Sequence, residues 1–177
     1  MPETVAIIGA GPLGRWLALS AVRAGYRVLL EDVMPANLRH AQEALRRQLG
    51  AEALPNVSFV STIEDAVREA DLAIDCVPDE LESKLEILWL LDRMAPPRTV
   101  LATPTTRLSI ADLASCTYRP DKVIAIAAEA SALSAGAATG ILLRTTTQTS
   151  PETVGILDQF WRRLGFTPTF APDPTDC

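Results

Sequence analysis

Residues 4–14, TVAIIGAGPLG, decide the fold of this chain. The run TVAII is apolar and rich in β-branched residues, and it stops at a glycine, which is typical of a strand buried on both faces. Residues 12–24 then have the apolar spacing of a helix that stops at Gly25. Between them, Gly9, Gly11 and Gly14 form a G-x-G-x-x-G turn. The stretch therefore predicts a strand, a glycine turn and a helix in immediate succession.

This glycine turn predicts a phosphate-binding site. The first glycine allows a tight turn, the second lets the backbone approach a pyrophosphate, and the third allows the helix to pack closely on the strand. Free N–H groups and the positive dipole end of the helix would then hold the phosphates. The candidate cofactor-binding residues of the turn are Gly9, Gly11, Pro12, Leu13 and Gly14.

Asp32 is the candidate ribose-binding residue. It follows the predicted strand 27–31 and lies 18 residues after Gly14. At that position a carboxylate can bond both hydroxyls of the adenosine ribose, and it repels a 2′-phosphate. The sequence therefore favours NAD over NADP. In the alternative interpretation, the glycines only turn the chain and Asp32 caps the next helix.

The rest of the chain continues the alternation of strands and helices. Strands are predicted at 57–60, 72–77, 99–102, 123–127, 141–147 and 166–170, and helices at 35–48, 63–70, 79–94, 109–115 and 151–164. In the helix 79–94 the expected core face is Leu81, Leu85, Leu88 and either Leu91 or Asp92. Such alternation predicts a single α/β domain over residues 1–177, with a Rossmann-type, doubly wound, mainly parallel sheet.

Composition excludes several classes of function. The chain has 177 residues, 48% of them hydrophobic, and a formal net charge of −6. This disfavours nucleic acid and membrane surfaces as partners. Its three cysteines, Cys76, Cys116 and Cys177, include no C-x-x-C pair, which argues against a disulfide framework or a metal site and fits a reducing cytoplasm. No apolar run reaches the length of a membrane span.

Two further stretches carry a family resemblance. Residues 70–84, ADLAIDCVPDELESK, are similar to the segment ADLVIEAVPEDLELK, and residues 99–110, TVLATPTTRLSI, resemble TILATNTSSLSI. With the glycine turn and residues 119–124, they make the chain resemble the NAD-binding domain of the L-3-hydroxyacyl-CoA dehydrogenase family over nearly its whole length. The resemblance implies an oxidoreductase of fatty acid metabolism that uses NAD and acts on an acyl-CoA or a related small molecule.

The resemblance also implies roles for individual residues. Val77, Asp79 and Lys84 fall in the segment that reaches the nicotinamide side of the cofactor. Thr106 occupies the position of a serine that hydrogen-bonds where cofactor and substrate meet. The alternatives are a solvated helix lysine for Lys84 and an ordinary loop hydroxyl for Thr106.

The residues that would carry catalysis depart from the family pattern. The family segment GLHFFNP corresponds to residues 125–131, AIAAEAS, so the histidine general base falls at Ala127 and a nearby asparagine falls at Ala130. The glutamate that orients the histidine falls at Thr139 or Leu142. The asparagine of TNTSS is replaced by Pro104. Loss of a positioned general base alone removes about 10²–10⁴ in rate.

No other residue is an obvious substitute for this base. His40 is the chain's one histidine, and its helical position places it on a polar face with Glu43 and Arg47. Glu129 is a weak candidate for a displaced acid, and a solvated loop carboxylate is the favoured interpretation. The resemblance further implies a helical domain after the last strand, where only four residues remain, 174–177. A second chain would then have to complete an acyl-CoA cleft.

Three functional hypotheses follow. The first is an NAD-binding domain of 3-hydroxyacyl-CoA dehydrogenase type whose hydride-transfer site is impaired or lost. The second is a non-catalytic NAD(H)-binding module with a regulatory or partner-docking role, in which the small-residue stretch 130–140 is the contact. The third is an enzyme with an altered substrate that is oriented by Thr106 and Glu129.

Overall fold

The computed structural model describes residues 3–136 and 139–175. Within these residues the strands are β1 (Thr4–Ile8), β2 (Arg27–Glu31), β3 (Val57–Val60), β4 (Leu72–Asp75), β5 (Val100–Pro104), β6 (Val123–Ile126), β7 (Gly140–Thr145) and β8 (Thr167–Pro172). The helices are α1 (Pro12–Arg23), α2 (Pro35–Gln48), α3 (Ile63–Val67), α4 (Leu81–Met94), α5 (Ile110–Ser115), α6 (Ala130–Ser134) and α7 (Pro151–Arg163).

All eight strands join one sheet, in the order β3-β2-β1-β4-β5-β6-β7-β8. Neighbouring strands are parallel except for β6 and β7, which are antiparallel. The predicted Rossmann-type, mainly parallel α/β fold is confirmed. Because the strand order reverses at β1 and β4, a crevice forms beside the carboxyl ends of these strands.

Helices cover both faces of the sheet, which explains why β1 reads as a continuous apolar run. Val5 and Ile7 join the core under α1, α2 and α7, whereas Ala6 and Ile8 join the core under α3, α4 and α5. Successive side chains of a strand point to opposite faces. Every residue of β1 is therefore buried, and a pattern that alternates polar with apolar residues would bury polar side chains there at a cost in stability.

Residues 130–134 form the short helix α6, which the sequence pattern did not predict. One local expectation was wrong. The buried stripe of α4 consists of Lys84, Leu88, Leu91 and Asp92, while the predicted core residue Leu81 is exposed. Leu81 has the spacing of this stripe, but it is the first residue of the helix and the core does not extend to it.

The described residues contain no helix that is long and apolar enough to cross a membrane. In the same residues, no three histidine, cysteine, aspartate or glutamate side chains are grouped so that they could hold a metal ion. Cys76 and Cys116 are free thiols. Cys177 and positions 137 and 138 of the stretch 130–140 lie outside the described residues.

Candidate dinucleotide-binding site

A cavity of about 810 Å³ lies at the carboxyl ends of β1, β2, β4, β5 and β6. This is where open α/β sheets bind their ligands. Most of the predicted site residues line it, namely Gly9, Gly11, Pro12, Leu13, Asp32, Val77, Asp79, Thr106 and Glu129. Gly14 and Lys84 are not part of its wall. The fold therefore brings residues from five separate chain segments to one cavity.

The three glycines of the turn differ in backbone conformation and in the space around them. Gly9 has a φ of +103°, which L side chains rarely adopt, and its amide donates to the Glu31 carbonyl at 2.8 Å. A Cβ on Gly14 would lie 1.8 Å from the Gly9 carbonyl oxygen, so this glycine serves the packing of α1 on β1. A Cβ on Gly11 would meet nothing within 4 Å.

The start of α1 has the chemistry that a pyrophosphate requires. Gly11 is the N-terminal cap residue, and no side chain caps the helix there. The first-turn amides of a helix lack partners within the helix. Gly11, Pro12 and Leu13 also line the cavity, and Gly11 leaves its wall open. These features fit a dianionic group bound at the helix start.

The carboxylate of Asp32 is held at the cavity wall by three hydrogen bonds. Its Oδ1 accepts from the Met34 amide at 2.8 Å, and its Oδ2 accepts from the Ala10 amide at 2.9 Å and from Asn37 Nδ2 at 3.1 Å. Asp32 therefore ties the glycine turn to the start of α2 and also lines the cavity. Because a carboxylate has about four acceptor positions, one remains for a ribose hydroxyl, and a second would require Asn37 to move.

Glu31 was not predicted as a site residue, yet it lines the same end of the cavity. Burial and the neighbouring charge of Asp32 raise the pKa of Glu31 to about 7. Near neutral pH this carboxyl group is therefore partly protonated. The position directly before Asp32 is the only sequence signal that could have pointed to it.

Lys84 is buried and does not line the cavity. Its ammonium lies 2.5 Å from Asp75 Oδ1, and the side chains of Lys84 and Asp75 are 1% and 0% exposed. The alternative of a solvated helix lysine is therefore wrong. Burial raises the pKa of Asp75, and the charge of Lys84 opposes this shift. Contact of Lys84 with the cofactor remains a prediction, because the structure turns its ammonium toward Asp75.

The segment after β5 places two polar side chains at the other end of the cavity. The Thr105 hydroxyl accepts from the amides of Arg107 at 3.3 Å and Leu108 at 3.1 Å, which fixes the turn. Thr106 and Arg107 then line the cavity, and Arg107 contacts Asp79. Sequence reasoning missed Arg107. The signal was the replacement of a serine of the similar segment by a cation.

Residues of the catalytic segment do not supply an imidazole. Ala127 is partly buried, and its amide donates to the Leu142 carbonyl at 2.8 Å. Glu129 lines the cavity but is exposed, as expected for a solvated carboxylate. His40 is exposed on α2, which confirms its predicted surface position. Burial raises the pKa of the nearby Cys76 thiol, so this group is not a thiolate at neutral pH.

Sequence comparison places the chain among dehydrogenases. The family described as "3-hydroxyacyl-CoA dehydrogenase, NAD binding domain" matches residues 4–173. A probable 3-hydroxybutyryl-CoA dehydrogenase from Bacillus subtilis (strain 168) is 31% identical over 135 residues, which are 69% of this chain and 47% of that protein. The 5-formyl-3-hydroxy-2-methylpyridine 4-carboxylate 5-dehydrogenase of Mesorhizobium japonicum is 29% identical over 134 residues, covering 70% of this chain and 43% of that protein. The chain thus spans less than half the length of these relatives.

Solved structures agree with this result. A 3-hydroxybutyryl-CoA dehydrogenase from Escherichia coli K12 has a TM-score of 0.85 and 26% identity, over 98% of this chain and 39% of that one. An (S)-3-hydroxybutyryl-CoA dehydrogenase from Ralstonia eutropha has a TM-score of 0.87 at 22% identity, over 98% and 64% of the two chains, and shows the shared fold. The chain belongs to the 3-hydroxyacyl-CoA dehydrogenase family and corresponds to its NAD-binding domain.

Proposed function

We propose that the chain binds NAD(H) in the cavity between Asp32 and Thr106, and that its 3-hydroxyacyl-CoA dehydrogenase activity is impaired or lost. The observation that carries this proposal is the combination of a fitting dinucleotide cradle with Ala127 at the position of the general base. Bound nicotinamide would supply hydride transfer. The chain's own contribution would be limited to orientation by Asp79 and Thr106, because no imidazole at the cavity takes the proton of a hydroxyl group.

The second candidate is a non-catalytic NAD(H)-binding module with a regulatory or partner-docking role. It is favoured by the exposed position of His40, the chain's one histidine, which is far along the chain from Ala127. A site without an imidazole can bind a dinucleotide but has no imidazole for proton transfer.

We propose that an acyl-CoA or a related small molecule binds beside the cofactor, and that acyl-CoA binding requires a second chain to complete the cleft. The free thiols of Cys76 and Cys116 support a cytoplasmic location.

Calorimetric titration with NAD⁺ and NADH, followed by acetoacetyl-CoA in the same sample, tests the proposal. We expect nucleotide binding with little or no turnover. Asp32→Ala should weaken NAD⁺ binding by about tenfold or more, since a hydrogen bond to a charged group contributes about 1.5–3 kcal/mol. Asp158→Ala is the matched control, because Asp158 forms only an exposed pair with Arg162 on α7.

Three results would count against the proposal. Absence of NAD⁺ and NADH binding by the wild-type chain would refute it. Equal NAD⁺ affinity of Asp32→Ala and wild type would show that the ribose site is placed wrongly. Turnover of acetoacetyl-CoA at the rate of an ordinary dehydrogenase would identify a base other than the residues considered and would contradict the loss of activity.

A further inference from the structure

Arg107 lines the cavity, and its backbone amide is held by a hydrogen bond to the Thr105 hydroxyl. Thr105 is 1% exposed, and its hydroxyl accepts hydrogen bonds from the amides of Arg107 and Leu108. These two bonds hold the backbone conformation of the turn that follows β5. This turn directs Thr106 and Arg107 toward the cavity. The Thr106 hydroxyl makes no hydrogen bond within the described residues. A neutral donor and a cation are therefore adjacent on one rigid support.

Arg107 is the one cation among the described residues that line the cavity. The other charged lining residues are Glu31, Asp32, Asp79 and Glu129. Arg107 Nη2 donates to the Asp79 carbonyl at 2.7 Å, and its Nε lies 3.9 Å from Asp79 Oδ2. Its side chain is 72% exposed. Since a guanidinium has five N–H donors, this tether leaves most of them available to a ligand.

The position of Arg107 separates it from the ribose site. Asp32 follows β2 and Arg107 follows β5, three strands away in the order β2-β1-β4-β5. Strands lie about 4.8 Å apart, so the two carboxyl ends are about 14 Å apart across the sheet. The glycine turn after β1 lies between them. A dinucleotide with its adenosine ribose at Asp32 and its pyrophosphate at α1 would place its nicotinamide end toward Arg107.

We propose that Arg107, assisted by the Thr106 hydroxyl, binds the carboxylate of a small organic acid at the nicotinamide end of the cavity. A carboxylate matches the planar fork of a guanidinium and offsets its charge. The carbonyl of an acyl thioester is neutral, so it would not replace the contacts of Arg107 with Asp79. This inference rests on the proposed dinucleotide site and specifies the class of its second ligand.

The test measures binding of small monocarboxylic hydroxy and oxo acids, including 3-hydroxybutyrate and acetoacetate, and of their methyl esters. Each is titrated by calorimetry into the chain saturated with NAD⁺ or NADH. We expect at least one acid to bind and its ester to bind much more weakly. Arg107→Gln should weaken the acid by about ten- to a hundredfold and change NAD⁺ affinity by less than about twofold. Arg107→Lys should restore part of the acid binding.

Arg98→Gln is the matched control. Arg98 precedes β5 at the opposite end of the same strand and pairs with Asp71, so this change should leave acid binding as in wild type. The proposal is overturned if no acid shows binding that depends on Arg107, if the ester binds as tightly as the acid, or if Arg107→Gln weakens NAD⁺ itself tenfold. If the wild type binds no dinucleotide, the proposed function fails, and titration of the acids alone decides whether Arg107 binds a carboxylate.

Discussion

Replacement of Lys84 by methionine distinguishes a structural role, in the ion pair with Asp75, from a role in binding the cofactor. The Lys84 ammonium and the Asp75 carboxylate are 2.5 Å apart and almost completely buried. Removing one partner of a buried pair costs about 3–5 kcal/mol, because the other charge loses its compensation. For a domain of this size, that corresponds to a decrease in Tm of roughly 6–20 °C. Thermal and urea unfolding, followed by circular dichroism, measure the loss.

The pH dependence of this loss gives a second readout. Without Lys84, burial and the charge of Asp79 still raise the pKa of the Asp75 carboxyl group, and only the Thr103 hydroxyl opposes them. The native state of Lys84→Met then binds a proton that the unfolded chain releases at lower pH, so its stability should fall as pH rises. We therefore expect the difference in unfolding free energy between wild type and Lys84→Met to be larger at pH 8 than at pH 5.

Two further variants make the experiment decisive. Lys84→Met combined with Asp75→Asn removes both charges and should recover stability to within about 2 kcal/mol of wild type, with NAD⁺ affinity nearly unchanged. Lys122→Met replaces the chain's other lysine, whose partner Glu152 is 68% exposed, and should cost less than about 1 kcal/mol. If Lys84→Met has the same Tm as wild type but loses NAD⁺ affinity, the reasoning is refuted and Lys84 acts on the cofactor.

Three more predictions concern the cavity and its support. Gly11→Ala should keep the unfolding free energy within about 0.5 kcal/mol of wild type but lose NAD⁺ affinity in calorimetry. Gly14→Ala, whose Cβ would lie 1.8 Å from the Gly9 carbonyl oxygen, should instead lower the unfolding free energy. NAD⁺ affinity should decrease as pH rises through about 7, where Glu31 becomes charged, and Glu31→Gln should flatten this profile; an identical slope in both proteins would contradict the assignment. Arg119→Lys should destabilise the chain by about 1–3 kcal/mol in urea, because Arg119 binds the Asp92 carboxylate and the carbonyls of Asp92 and Pro96 at 2.6–2.8 Å, a geometry that lysine cannot reproduce; a midpoint equal to that of wild type would exclude this role.

The features that the sequence predicted are local or periodic. The alternation of strand-like apolar runs with segments of helical apolar spacing predicted the order of strands and helices through β6. The glycine spacing predicted the turn, because Gly9 needs a positive φ and Gly14 leaves no room for a Cβ. Asp32 was placed at the cavity because a strand end in a parallel sheet has a known edge.

Tertiary structure decided what depends on partners distant in the chain. Whether Lys84 meets solvent, cofactor or Asp75 depends on how α4 sits against β4, and the spacing of apolar residues does not contain that rotation. The antiparallel pairing of β7 and the contact of Arg107 with Asp79 likewise join segments that are separate in sequence. The sequence by itself determined the dinucleotide-binding fold, because period and glycine conformation act within one segment. Only the tertiary structure decided which charges are paired, because an ion pair depends on the distance between two segments.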